Sequence, residues 1–286
     1  MTKILDGKAL SAVIRSEIKE NLAKCYEKTD KRCALAVVLV GEDPASQIYV
    51  RNKAIACEQT GITSITVKMP TESTQEEVET EVKRLCDDET VDGVLVQLPL
   101  PKHLDEKRIF AIIPQYKDVD GFSIWNAGGL FKGNDEVLLP CTPHGIIELL
   151  KRNDIELAGK HAVVVGRSNI VGKPVAMLLL NENCTVTMCH SKTKDLPEIT
   201  KQADILVCAI GKAKFFTEDM VKDGAVVVDV GTNRIDGKLY GDVDYQAVCG
   251  KTSAITPVPG GVGPMTITML LYNTYLTFMR KNNELQ

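Results

Sequence analysis

The chain has 286 residues, 44% of them hydrophobic, enough to fill two medium α/β cores. Its net charge of −4 and isoelectric point near 5.7 argue against a nucleic-acid partner gripped through a basic face. The nine cysteines are scattered with no C-x-x-C pair, which excludes a disulfide frame and a zinc site and predicts a reduced, cytoplasmic setting with no bound metal. No apolar run approaches the length of a membrane span, and the N-terminus lacks the apolar core of a secretion signal.

The chain opens with an amphipathic helix from Leu10 to about Lys28, carrying Leu10, Val13, Ile14, Ile18 and Leu22 at helical spacing. Ala34 to Gly41 reads as a buried strand. A well-punctuated helix follows, with Asp43 as N-cap, Pro44 at the first helical position and Gly61 as its stop. Ile62 to Met69 alternates as a strand, and Thr74 with Glu77 makes a capping box for a helix buried through Val78, Val82 and Leu85. "VDGVLVQLPLP" is a third strand, ending in a proline-rich turn near Pro99. This β-α-β-α-β run predicts an open sheet with crossover helices. From Leu104 to Phe131 the pattern loosens around "KDVDGF", and Thr142 is expected to cap a bridging helix that starts at Pro143.

The second half turns on "HAVVVGRSNIVGKPVAMLLL". Ala162 to Val165 is a β-branched strand ended by Gly166, and a helix follows Gly172 with Pro174 near its first turn. The turn departs from G-x-G-x-x-G, with Ser168 at the second glycine and one residue extra, so it fits an ordinary crossover as well as a pyrophosphate site. The next strand, Cys184 to Cys189, ends about 20 residues past the turn, where a ribose-binding carboxylate would stand. His190, Ser191 and Lys192 stand there instead, and with Arg167 they favour a 2′-phosphate, hence NADP over NAD. Short strands follow within 203–211, 225–233 and 252–263, then a helix from Met265 to Arg280.

Tyr49 and Lys53, at i and i+4, share the face of a helix that begins directly after a strand. They read either as a lysine stem lying on a surface tyrosine or as a pair overlooking a crevice, with Gln97 across it at a strand end. A lysine partly withdrawn from water has its neutral form favoured, which suits proton transfer. In "DVDGF", Asp118 and Asp120 are either solvated turn acids or a carboxylate accepting paired N–H donors from a planar heterocycle. Calcium is unsuited, since its loop would place Tyr116 and Ala127 at ligand positions. "PVPGGVGP", from Pro257, has no polar side chain and suits close backbone approach to something flat rather than an anion.

Together, Y-x-x-x-K at Tyr49, "VQLPLP" at Val96, "DVDGF" at Asp118, "GRSNIVGKP" at Gly166, "DVGTN" at Asp229 and "PGGVGPMT" at Pro259 closely resemble the bifunctional methylenetetrahydrofolate dehydrogenase/methenyltetrahydrofolate cyclohydrolase family. The resemblance implies two open-sheet α/β domains with a folate cleft between them. Residues 1–141 would form the folate-binding domain, joined by a returning helix at 265–286, and 142–264 a Rossmann-like NADP-binding domain. It implies that Tyr49 stacks on folate, that Lys53 is the acid–base group tuned by Gln97, and that Asp120 binds the pterin. Val96, Leu98, Pro259, Gly260, Gly261 and Val262 would line the substrate. Gly166, Arg167, Ser168, Ser191 and Thr232 would contact NADP. Also implied are a homodimer and a place in one-carbon metabolism that supplies purine biosynthesis. Two other readings stand beside it: a non-catalytic NADP-binding paralogue, and a shikimate-type NADP dehydrogenase.

Overall fold

The structure, a computed structural model, describes residues 2–282. Its strands are β1 (Lys3–Ile4), β2 (Ala34–Val40), β3 (Thr63–Met69), β4 (Gly93–Val96), β5 (His161–Val165) and β6 (Thr185–Cys189), then β7 (Ile205–Cys208), β8 (Val226–Asp229), β9 (Asn233–Ile235), β10 (Lys238–Tyr240) and β11 (Ala254–Ile255). Its helices are α1 (Gly7–Tyr26), α2 (Pro44–Thr60), α3 (Gln75–Asp87), α4 (Glu106–Ile112) and α5 (Ile124–Phe131), then α6 (Cys141–Lys151), α7 (Gly172–Asn181), α8 (Leu196–Thr200), α9 (Tyr245–Val248) and α10 (Val262–Lys281). They form two compact units, the first comprising residues 13–141 with 267–282, the second 2–12 with 142–266.

In the first unit a parallel sheet runs β3-β2-β4. Every residue of β2 is buried, which is why its sequence is an unbroken apolar run rather than an alternation. Asp43 caps α2 by accepting from the Ser46 amide, and Gly61 ends it in the left-handed region. The Thr74–Glu77 capping box opens α3, whose Val78, Val82 and Leu85 pack beneath β2 and β4. Because β2 is flanked on one side by β3 and on the other by β4, the chain leaves β2 and β4 in a topological switch. The loops beyond their carboxyl ends therefore diverge and leave a crevice.

The second unit holds a six-stranded sheet in the order β1-β11-β8-β7-β5-β6, each neighbouring pair parallel. Its switch point lies between β5 and β7, beside the glycine turn after β5.

The structure departs from the sequence reading in several places. Residues 2–12 group with the second unit, not the first, because β1 adds to its sheet beside β11. Val13, expected in the buried stripe of α1, is 53% exposed. Thr142 is no cap: α6 already starts at Cys141, and Thr142 Oγ1 pairs with Thr266 Oγ1 at 2.8 Å. The stretch expected to be irregular contains α4, capped by Asp105, and α5, capped by Ser123. The β9–β10 hairpin turns through Asp236 and Gly237, both at positive φ.

Candidate active site

Lys53 lies three turns into α2, within reach of the end of β4. Its Nζ donates to Gln97 Oε1 at 2.9 Å. Gln97 in turn is fixed at both ends: its backbone N–H donates to Val38 O, and its Nε2 to Leu98 O at 2.6 Å. That second bond leaves the amide oxygen, not the nitrogen, facing the lysine. Buried Ser46, on the same face of α2, also donates to Leu98 O. The Lys53 amine is therefore gripped by the first unit's switch point rather than lying loose on the Tyr49 ring, which is half exposed. Val96 is buried and Leu98 half-buried beside this pair.

Burial pulls the Lys53 pKa below the ordinary lysine value, while the Asp120 carboxylate pushes it back up, as to a lesser degree do the Cys141 and Cys57 thiols. Asp120 is displaced the other way. Burial raises it to about 6 against the pull of the Lys53 charge, with Asp118 adding repulsion. Asp118 itself is structural: its carboxylate accepts from the amides of Phe122 (3.2 Å) and Ser123 (2.7 Å) and from Asn126 Nδ2 (2.9 Å). The two acids of "DVDGF" thus divide, one bound into the turn and one facing an amine.

In the second unit, Gly166 sits at φ +131°, and a Cβ there would lie 2.2 Å from Ala209 O at the end of β7. A Cβ on Gly172 would meet Gly166 O at the same distance. Both glycines are required for strand-to-helix packing. Ser168, in the place of the fingerprint's second glycine, accepts from the amides of Val171 (3.1 Å) and Gly172 (3.3 Å), satisfying two donors of the turn that enters α7. A hydroxyl that accepts twice still has its own hydrogen to donate outward, and it stands in an exposed turn. Gly166 N donates to Cys189 O, which brings Arg167 beside the end of β6, where Ser191 and Lys192 are exposed. This carboxylate-free, cationic corner fits a 2′-phosphorylated dinucleotide. Thr232 is exposed beyond β8, two strands from β5.

The "PGGVGP" loop divides in two. Gly261 N donates to Pro257 O at 2.8 Å, and a Cβ on Gly7 would collide with Gly261 O, so this part packs on the chain itself. Exposed Pro259 and half-buried Gly260, at φ +111°, are what remains for a ligand, while Val262 is buried.

Two family models match, the tetrahydrofolate dehydrogenase/cyclohydrolase catalytic domain over residues 5–120 and the NAD(P)-binding domain of the same family over residues 140–282. The chain belongs to the tetrahydrofolate dehydrogenase/cyclohydrolase family. It is 56% identical to the bifunctional protein FolD of Halalkalibacterium halodurans, across 95% of this chain and 96% of that one. The crystal structure of the bifunctional FolD methylenetetrahydrofolate dehydrogenase/cyclohydrolase from Campylobacter jejuni superposes with a TM-score of 0.96 at 50% identity, covering 98% of this chain and 100% of the other. That of the Trypanosoma brucei enzyme, complexed with NADP cofactor and inhibitor, gives 0.94 at 38% identity, with 98% of each chain covered. A shikimate 5-dehydrogenase from Thermus thermophilus reaches only 0.54 at 16% identity over 87% of this chain and 94% of the other, a likeness of fold alone.

The structure brings Lys53 and Gln97 together, as the sequence reading expected, but that reading did not single out Cys141 and Asn273, which touch the Asp120 turn from far along the chain. The signal available was Asn273 itself, an amide directly after the apolar run Met269–Tyr272 of the last helix.

Proposed function

We propose that the Lys53 amine, held by Gln97 Oε1 and faced by Asp120, manages the protons of the hydrolytic half of a two-step reaction. The enzyme is an NADP-dependent methylenetetrahydrofolate dehydrogenase and methenyltetrahydrofolate cyclohydrolase, acting in one-carbon metabolism. NADP+, when bound, supplies the hydride acceptor. Oxidising a methylene bridge flanked by two nitrogens asks mainly for positioning, since those nitrogens stabilise the cation that remains. Hydrolysis asks for more. Water's oxygen bonds to the methenyl carbon and loses one proton; the carbinol O–H then loses its own as the carbon–nitrogen bond breaks and the formyl C=O forms, the departing ring nitrogen takes one proton, and one proton leaves to solvent. Lys53, its neutral form favoured by burial, accepts the first proton, and the ammonium so formed protonates the ring nitrogen. Asp120 accepts paired N–H donors from the pterin, Tyr49 stacks on it, and Val96, Leu98, Pro259, Gly260, Gly261 and Val262 shape the substrate surface. Gly166, Arg167, Ser168, Ser191 and Thr232 hold NADP, with Arg167 and the Ser168 hydroxyl directed to its phosphates.

The Lys53–Gln97 bond carries this reading. The test is the purified chain with methylenetetrahydrofolate and NADP+: NADPH forms and the methenyl absorbance stays low because hydrolysis keeps pace. Methenyl accumulating in step with NADPH, and decaying no faster than in buffer, would overturn the hydrolytic assignment.

We place the enzyme in the cytoplasm as a homodimer whose product supplies purine biosynthesis. Among the described residues no helix is long and apolar enough to cross a membrane. The half-exposed edge strand β3 offers an unpaired backbone to a second copy. Light scattering at twice the chain mass supports the dimer, and a single-chain mass refutes it.

A further inference from the structure

We propose that Asn273, on α10, is a positioning residue that aims the Asp120 carboxylate at the folate. The inference rests on the reading of Asp120 as the pterin-binding acid. Asn273 Nδ2 donates both its hydrogens to the chain around that acid, one to Val119 O at 2.8 Å and one to Leu139 O at 2.9 Å. Val119 immediately precedes Asp120, and Leu139 lies in the segment the Asp120 turn rests on. A Cβ on Gly121 would sit 2.6 Å from both Leu139 C and Pro140 N, so the two segments touch backbone to backbone. Cys141 Sγ completes the clamp, lying 3.8 Å from Asn273 Nδ2, donating to Val119 O at 3.2 Å and reaching Asp120 Oδ1 at 3.8 Å.

The far side of the turn is tied to the same segment by a second asparagine. Asn126 Nδ2 donates to Asp118, and its Oδ1 accepts from Leu138 N at 3.3 Å. Among the described residues, Cys141 is the one side chain at hydrogen-bond distance from the Asp120 carboxylate, and its single hydrogen goes to the nearer Val119 O. The turn is thus held rigidly by its neighbours while its second acid keeps acceptor capacity for a ligand. Helix economy alone does not explain Asn273. Asn273 is buried beside Met269, Leu270, Thr274 and Thr277 of α10, and a leucine would avoid desolvating an amide. An amide that satisfies two carbonyls instead specifies one conformation of the loop.

The test compares Asn273→Ser, Asp120→Asn and the double variant, with KM measured separately for methylenetetrahydrofolate and NADP+. Asn273→Ser is expected to raise the folate KM at least about fivefold, with the NADP+ KM within about twofold, as loss of one well-placed hydrogen bond implies. In the Asp120→Asn background the same substitution adds less than about twofold, because its effect passes through the missing carboxylate. Equal rises in both KM values, or effects that multiply in the double variant, overturn the proposal and leave Asp120 in its role. An unchanged folate KM in Asp120→Asn removes the reading of Asp120 and the proposal with it. If Asn273→Ser does not fold, Cys141→Ala carries the test. A smaller rise confined to the folate KM supports the clamp, and no change overturns it.

Discussion

Replacing Gln97 with leucine should shift the enzyme's pH dependence in a calculable direction. Gln97 Oε1 accepts from Lys53 Nζ at 2.9 Å, and the oxygen is oriented by the bond from Nε2 to Leu98 O. A hydrogen bond to a charged donor is worth about 1.5–3 kcal/mol, and one to a neutral amine about 0.5–1.5 kcal/mol. The glutamine therefore favours the ammonium by roughly 1–1.5 kcal/mol, equivalent to about one pKa unit. Burial already lowers the Lys53 pKa, so Gln97→Leu lowers it further, and the limb of the cyclohydrolase profile governed by Lys53 moves about one pH unit towards acid. Gln97→Glu, which sets a negative charge against the amine, moves the same limb towards alkali. The assay is kcat/KM for methenyltetrahydrofolate hydrolysis across pH. Both variants leaving that limb within about 0.3 pH unit of the parent would refute the argument, since no tuning would then pass through this bond.

Asp120 links the site to stability. Its folded pKa of about 6 lies above the ordinary 3.8, so its stabilising contribution is fully present below pH 3.8 and lost as pH rises through 6. Asp120→Asn should remove that loss, making the variant more stable than the parent at pH 7 by no more than about 3 kcal/mol and indistinguishable in slope below pH 3.8. Urea unfolding at both pH values checks this, and a parent–variant difference independent of pH contradicts it. Gly166→Ala puts a Cβ 2.2 Å from Ala209 O at a backbone angle alanine rarely adopts, so it should cost about 2–5 kcal/mol. It should also weaken NADP+ binding, measured by fluorescence titration; a variant as stable as the parent would show the turn is less constrained than its geometry implies.

The parts legible in the sequence were those set by local chemistry. Asp43-Pro44 and Gly61 marked both ends of α2, and the Thr74–Glu77 box marked the start of α3, because caps act within four residues of themselves. Lys53 and Gln97 were legible through topology: a residue in a helix that follows a strand, and a residue at the end of a neighbouring strand, face the same switch point. What escaped was either short or distant. Helices α4 and α5, of 7 and 8 residues, are too brief for periodicity, although Asp105 and Ser123 cap them. The two residues of β1 carry no signal of which sheet they join. Asn273 escaped because its carbonyl partners lie 154 and 134 residues earlier in the chain. The "PGGVGP" loop was half legible: its bare glycines do permit close approach, but Gly261 uses that freedom against Pro257 and Thr256 of the chain itself.

If one amine serves hydrolysis while hydride transfer depends on placement, Lys53→Met separates the two activities, because methionine keeps the length of the stem and removes the proton carrier. With both activities measured on the same folded preparation, methenyltetrahydrofolate hydrolysis should fall to the uncatalysed rate while NADP+-dependent oxidation persists at a reduced level. Cyclohydrolase activity at the parent rate in that variant would contradict that separation.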